Sequence, residues 1–155
     1  MSKGKFLVSV IGGYECDDST ARLAEDTGSV IAGEGAVLVS GGRSGVMEAA
    51  CKGAKAAGGI TVGIIPGEDK KEANDFVDIV IATGMGYSRN ALVAGTADIV
   101  VAFPGKYGTL SEIAFALNSG KKVYGLGTWD IPGVVKLGSP DELKKVIREG
   151  MRCLS

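Results

Sequence analysis

The chain has 155 residues, enough for one domain that buries roughly two-thirds of its extended surface without a disulfide or metal to hold it. Its 17 basic and 18 acidic residues nearly cancel to a net charge of -1, with no Lys/Arg block interleaved with aromatics, so nothing in it reads as a nucleic-acid-binding face. It has no histidine, which excludes a Ser-His-Asp or Cys-His mechanism and argues against a zinc enzyme.

From the N-terminus, Lys3-Gly4-Lys5 precedes a run, Phe6 to Ile11, that is too short for a signal core and has no small-residue cleavage site after it. It reads as the first strand, ending at Gly12-Gly13. Asp18, Ser19 and Thr20 offer caps for a helix to about Ala32, and Ala36 to Val39 is the second strand. The turn Ser40 to Gly45 (SGGRSG) leads into a small-residue helix, Val46 to Ala57, and then a third strand, Ile60 to Ile65. A polar loop over Glu68 to Asn74 precedes the fourth strand, Val77 to Ala82, and a helix is expected from about Tyr87 to Ala97. Asp98 to Phe103 is the fifth strand, the turn PGKYGT opens a helix from about Thr109 to Asn118, and Lys122 to Leu126 is the sixth strand. A loop with Trp129, Pro132 and Gly133 follows, and the last helix is expected from Ser139 as cap, with Pro140 at its first position and Glu142 three residues after the cap, to about Gly150.

Strands alternating with helices, several of them near-continuous Val/Ile runs, indicate α/β architecture. The expectation is a Rossmann-like three-layer sandwich: a parallel sheet of about six or seven strands, helices on both faces, one domain over residues 1–155. No apolar run approaches the ~20 residues of a membrane span. Cys16, Cys51 and Cys153, odd in number and without CxxC spacing, read as reduced thiols in a cytoplasmic protein. Glycine is the unusual component, 25 residues or about twice its average usage of roughly 7%.

In such sheets ligands sit beyond the carboxyl ends of the strands, and three strand ends carry unusual residues. PGKYGTLSE, Pro104 to Glu112, is a glycine-rich turn running straight into a helix, where unpaired amides at the positive end of the dipole attract phosphate. There Gly105 and Gly108 would permit positive φ and close approach, Thr109 adds a hydroxyl and Lys106 a charge. Thr109 to Glu112 is also a capping box, so a purely structural use of these residues stays open. In SGGRSG, Gly41, Gly42 and Gly45 leave room for a ligand against bare backbone. The first turn lacks GxGxxG and the second strand does not end in an acid, which argues against ordinary NAD binding. GMGYSRN, Gly84 to Asn90, places Arg89 near a helix start, within reach of the rim that carries Glu112.

These segments, in this order from Phe6 to about Gly127, resemble the LOG-like superfamily, also called lysine decarboxylase-like. Its PGGxGTxxE signature corresponds to PGKYGTLSE, its GGGxxGLM-type turn to SGGRSGVM, and its Arg-Lys helix start to Arg89-Asn90. Lys106 stands in place of the second signature glycine, Ser111 in place of the first of two acids, and Asn90 in place of lysine. The variant is closer to a branch that includes molybdenum-cofactor carrier proteins and uncharacterised proteins related to the DNA-processing protein DprA. The resemblance implies a 5′-phosphate held by Gly105, Lys106, Tyr107, Gly108 and Thr109, with Arg89 and Glu112 as catalytic residues flanking the ribose. Gly12, Gly13, Gly41, Gly42, Arg43, Gly45, Met47, Asn90 and Pro104 would complete the ligand-binding rim. The expected function is binding of a nucleotide-like, phosphate-bearing ligand, a nucleoside monophosphate or molybdopterin-type molecule. The alternatives are a nucleoside 5′-monophosphate phosphoribohydrolase, in which Glu112 stabilises the developing sugar cation, and a regulatory nucleotide sensor. No metal, required cofactor, nucleic acid or membrane is expected. The family's habit implies a homodimer or homotetramer packed through the helices after Tyr87 and Thr109.

Overall fold

The computed structural model describes residues 4–154; Lys3 and the outermost positions of the expected domain, 1–155, lie outside the described residues. Seven strands, β1 (Leu7–Ile11), β2 (Val37–Ser40), β3 (Thr61–Ile65), β4 (Ile79–Ala82), β5 (Ile99–Ala102), β6 (Lys122–Gly125) and β7 (Val134–Lys136), form one sheet. Five helices connect them: α1 (Asp18–Gly33), α2 (Val46–Ala56), α3 (Asn90–Thr96), α4 (Tyr107–Asn118) and α5 (Glu142–Cys153). Every pairing is parallel and the strand order is β4-β3-β2-β1-β5-β6-β7. Chain order reverses between β1 and β5, so the crevice that such a reversal opens lies beyond the ends of those two strands.

Alternate residues of the central strands face opposite cores. Val8, Val10, Leu38, Val101 and Phe103 pack under α1, α2 and α5 with Ile31, Ala50, Leu143 and Ile147. Ile11, Val39, Val100 and Val123 pack under α3 and α4 with Val93, Ala94, Ile113 and Ala116. Each fully buried Val, Leu or Ile contributes roughly 1.5–3 kcal/mol, and burial on both faces explains why β1, β2 and β5 read as continuous apolar runs.

The helix starts differ from expectation in ways that matter to the site. Asp17, one residue earlier than expected, caps α1 by accepting the Thr20 amide at 2.7 Å. Ser139 does not cap α5 with its side chain. Its carbonyl instead begins a tight turn over Pro140 and Asp141, and the helix proper starts at Glu142. The segment before α3 is a separate 3₁₀ turn, Gly86–Arg89. Helix α4 starts at Tyr107, two residues ahead of Thr109, which removes Thr109 from the cap position and overturns the capping-box alternative. β7 follows directly on the Trp129–Gly133 loop; at three residues it is too short to show a period of its own.

Candidate functional site at the carboxyl edge of the sheet

β5 delivers the chain to Pro104, and α4 begins three residues later. The amides of Tyr107, Gly108 and Thr109 precede the first intrahelical bond, Leu110 N–H to Lys106 O at 3.0 Å, and among the described residues no side chain caps them. These donors sit at the positive end of a twelve-residue helix, the arrangement that holds an anion. Gly105 is required by close approach: a Cβ there would lie 2.1 Å from Thr109 Oγ1 and 3.0 Å from Gly13 N. Neither Gly105 nor Gly108 has positive φ, so that part of the expectation is corrected; both are ordinary backbone. Lys106, at φ -114°, likewise fits without strain where the signature has glycine, and its Nζ lies 5.7 Å from the centroid of the Tyr14 ring.

Arg89 ties the ends of two strands, β2 and β3, to the start of α3. Although charged, it is only 8% exposed. Its Nε donates to Ile64 O at 2.9 Å, Nη2 to Gly41 O at 3.4 Å, and Nη1 to Asn90 Oδ1. Gly41 has to be glycine for this, because a Cβ would lie 2.7 Å from Arg89 Nη2 and 2.8 Å from Met47 Sδ. Asn90 carries the network into α4: its Nδ2 donates to Ser111 Oγ at 3.2 Å and Gly108 O at 3.5 Å, and Ser111 Oγ donates to Gly108 O at 2.6 Å. Two of the three departures from the family pattern, Asn90 and Ser111, are therefore partners of each other. Where the pattern has a lysine and an acid, this chain has a neutral hydrogen-bonded pair.

Glu112 follows on the same helix and is 7% exposed. Among the described residues none donates a hydrogen bond to its carboxyl group. Burial pushes its pKa up to about 8, opposed by the charge of Arg89. Arg89 in turn is lowered first by burial, with Glu112 acting the other way. The two groups sense each other through space without a direct ion pair.

The remaining rim residues divide. Gly13 N–H donates to Pro104 O at 2.9 Å and Gly13 O accepts from Val46 N–H at 3.0 Å, so the first turn stitches the β5 turn to the start of α2. The space where side chains would project from Gly12 and Gly45 is filled by Val46 and by the backbone of Gly13 and Tyr14. Gly42 turns the chain with positive φ, and Met47 is buried beside Gly41. Arg43 turns away: it pairs with Glu72 at 3.5 Å and its carbonyl accepts from Asn74 Nδ2 at 2.8 Å, in a separate polar cleft with Ser44, Glu48 and Asp75. Pro104 is exposed and faces a second cleft, of about 200 Å³, shared with Gly105, Gly127, Thr128 and Trp129. The sequence reading did not include Ser111, Thr128 or Trp129 among the site residues; the departure from the signature at position 111 and the single tryptophan in a glycine-bounded loop were the available signals.

Among the described residues no cluster of three His, Cys, Asp or Glu side chains is placed to hold a metal, and no helix is long and apolar enough to cross a membrane. The three cysteines are free, and burial raises the Cys51 thiol to about 11, far from reactivity.

The model of the SLOG cluster4 family matches residues 5–150. An uncharacterized protein of Archaeoglobus fulgidus is 50% identical over 119 residues, covering 77% of this chain and 78% of that protein. The cytokinin riboside 5′-monophosphate phosphoribohydrolase of Mycobacterium tuberculosis is 36% identical over 117 residues, covering 74% of this chain and 60% of the enzyme's own length. Among solved structures, the molybdenum cofactor binding protein of Rippkaea orientalis superposes with a TM-score of 0.90 at 36% identity, covering 97% of this chain and 99% of that one.

Proposed function

Because the chain belongs to the SLOG cluster4 family, we propose that it binds a phosphate-bearing, nucleotide-like ligand at the carboxyl edge of its sheet, as a carrier or binding protein. The observation that carries this reading is the row of uncapped amides on Tyr107, Gly108 and Thr109, set beside a buried arginine already fixed by three acceptors. A phosphate there gains charge-assisted hydrogen bonds from groups that need no reorganisation. The likeness to the Rippkaea orientalis molybdenum cofactor binding protein supports a pterin-phosphate cargo as one form of that ligand.

The second reading is nucleotide hydrolysis, favoured by Glu112 and by the likeness to the mycobacterial enzyme. Two features favour binding over it. Ser111 and Asn90 replace charged groups with a neutral pair, and a carboxyl group with a pKa near 8 is mostly protonated at neutral pH, whereas a developing sugar cation needs the carboxylate. Incubation with nucleoside 5′-monophosphates separates the two: saturable binding without free base is expected. Release of base that disappears in Glu112→Gln would establish the enzyme instead.

A second copy of this chain is the proposed cover for the face formed by α3, α4 and β4. Leu92, Phe115, Ile79 and Ile81 are exposed there, and Tyr87, in the turn ahead of α3, is exposed as well. Ile81 pairs in register with core residue Ile64. Sedimentation equilibrium is expected to give a dimer or tetramer mass; a monomer at every concentration overturns this.

A further inference from the structure

The β6–β7 loop carries a feature that the phosphate site does not use. It forms one wall of the cleft of about 200 Å³ whose other wall is the Pro104-Gly105 turn, next to the free amides of α4. Gly127 packs on Pro104, with Cγ 3.7 Å from the position a Cβ would take. Thr128 lays its methyl group over bare Gly125, and its Oγ1 is buried without a hydrogen-bond partner, the one such side-chain atom among the described residues. Trp129 stands in the same wall, 38% exposed, with the flat indole half-covered.

We propose that Trp129, backed by Thr128 in the same wall, forms a ring-binding subsite, in which the planar nitrogen heterocycle of the phosphate-bearing ligand stacks on the indole. This rests on the phosphate-binding reading above and goes beyond it by assigning a place to the ring. Aromatic stacking tolerates any flat heterocycle, so purine and pterin share the chemistry. The sheet order gives the subsite a consequence. The loop follows β6, on the side of β5 away from β2 and β3, whose ends carry the Gly41 and Ile64 carbonyls that hold Arg89. A ring on Trp129 therefore lies on the opposite flank of the phosphate from Arg89, which suits retention of the ligand.

Trp129 is the sole tryptophan, so its fluorescence reports on this subsite alone. AMP, neopterin monophosphate and ribose 5-phosphate are titrated against the whole chain, with affinities measured in parallel by calorimetry. The expected result is saturable quenching by AMP or neopterin monophosphate, whichever ring the subsite takes, and little change with ribose 5-phosphate. Trp129→Ala should weaken the ring-bearing ligand about tenfold or more while leaving ribose 5-phosphate affinity unchanged; a half-exposed loop residue can be truncated without loss of fold. If ring-bearing ligands bind no better than ribose 5-phosphate and ignore Trp129→Ala, the ring subsite is wrong and the phosphate site survives. If none of the three binds, the phosphate-binding reading fails and takes this inference with it.

Discussion

Glu112→Gln is expected to make the folded chain more stable at neutral pH, while removing whatever the carboxyl group does for a ligand. Glu112 ordinarily titrates at 4.5 and in the fold is raised to about 8 by burial. Between those values the native state holds a proton that the unfolded chain has released, so native stability falls as pH rises through the window. At 1.36 kcal/mol per unit the loss is about 1 kcal/mol at pH 5, on the order of 3 kcal/mol at pH 7, and levels off above pH 8. Glutamine has the shape of the protonated acid and no charge to desolvate, so the variant should escape this loss. In a domain of this size, that difference corresponds to a melting temperature roughly 6–12 °C higher at pH 7, with little difference at pH 4.5. Urea titrations of both proteins from pH 4.5 to 9 test it. Parallel stability curves for the two would mean that Glu112 is solvated in the native state.

The same titration gives the two functional readings opposite signs. A neutral Glu112 leaves room for a phosphate dianion, so binding should weaken above pH 8 as the carboxylate forms and repels it. Hydrolysis instead requires that carboxylate, so its rate would climb over the same interval. A group that costs the fold several kcal/mol and has no hydrogen-bonded partner is the kind of local inconsistency that marks a functional position.

The architecture was legible because its signals repeat: strands written as Val/Ile runs, most of them followed by a turn and a helix. The three strand ends were also legible, since glycine clusters are conspicuous in sequence. What the glycines are for was not. Gly105 and Gly41 serve close approach to Gly13 and Arg89, and Gly12 and Gly45 make room for Val46 and for the Gly13–Tyr14 backbone, contacts between residues far apart in the chain. Arg43 shows the same limit, because the partner that draws it out of the rim, Glu72, sits 29 positions away. The pairing of Asn90 with Ser111 crosses two helices, so each reads in sequence as a separate departure where the fold makes them one neutral unit. Helix starts shifted by one to three residues; at α1 the reason is a run of cap residues, Asp17-Asp18-Ser19-Thr20, among which only backbone geometry chooses.

Arg89→Ala is expected to cost about 2–4 kcal/mol and to abolish phosphate binding. The guanidinium supplies Nε, Nη1 and Nη2 to three separate acceptors, Ile64 O, Asn90 Oδ1 and Gly41 O, and truncation leaves buried oxygens short of donors. Arg89→Lys should recover little of the loss, because one ammonium nitrogen cannot reproduce a planar fork that spans the ends of β2, β3 and α3. A further readout separates this from a generic core defect. Arg89 is the charge that holds Glu112 down against its burial, so without it the carboxyl group should titrate still higher, and the upper end of the stability-loss window should move above pH 8. A chain that loses stability on Arg89→Ala but keeps that upper limit in place would show that the two buried groups do not sense each other. Since Gly41 is glycine partly to clear Arg89 Nη2, Gly41→Ala should also cost less in the Arg89→Ala background than in the parent chain. That non-additivity is expected only if the arginine lies across the second glycine turn as described.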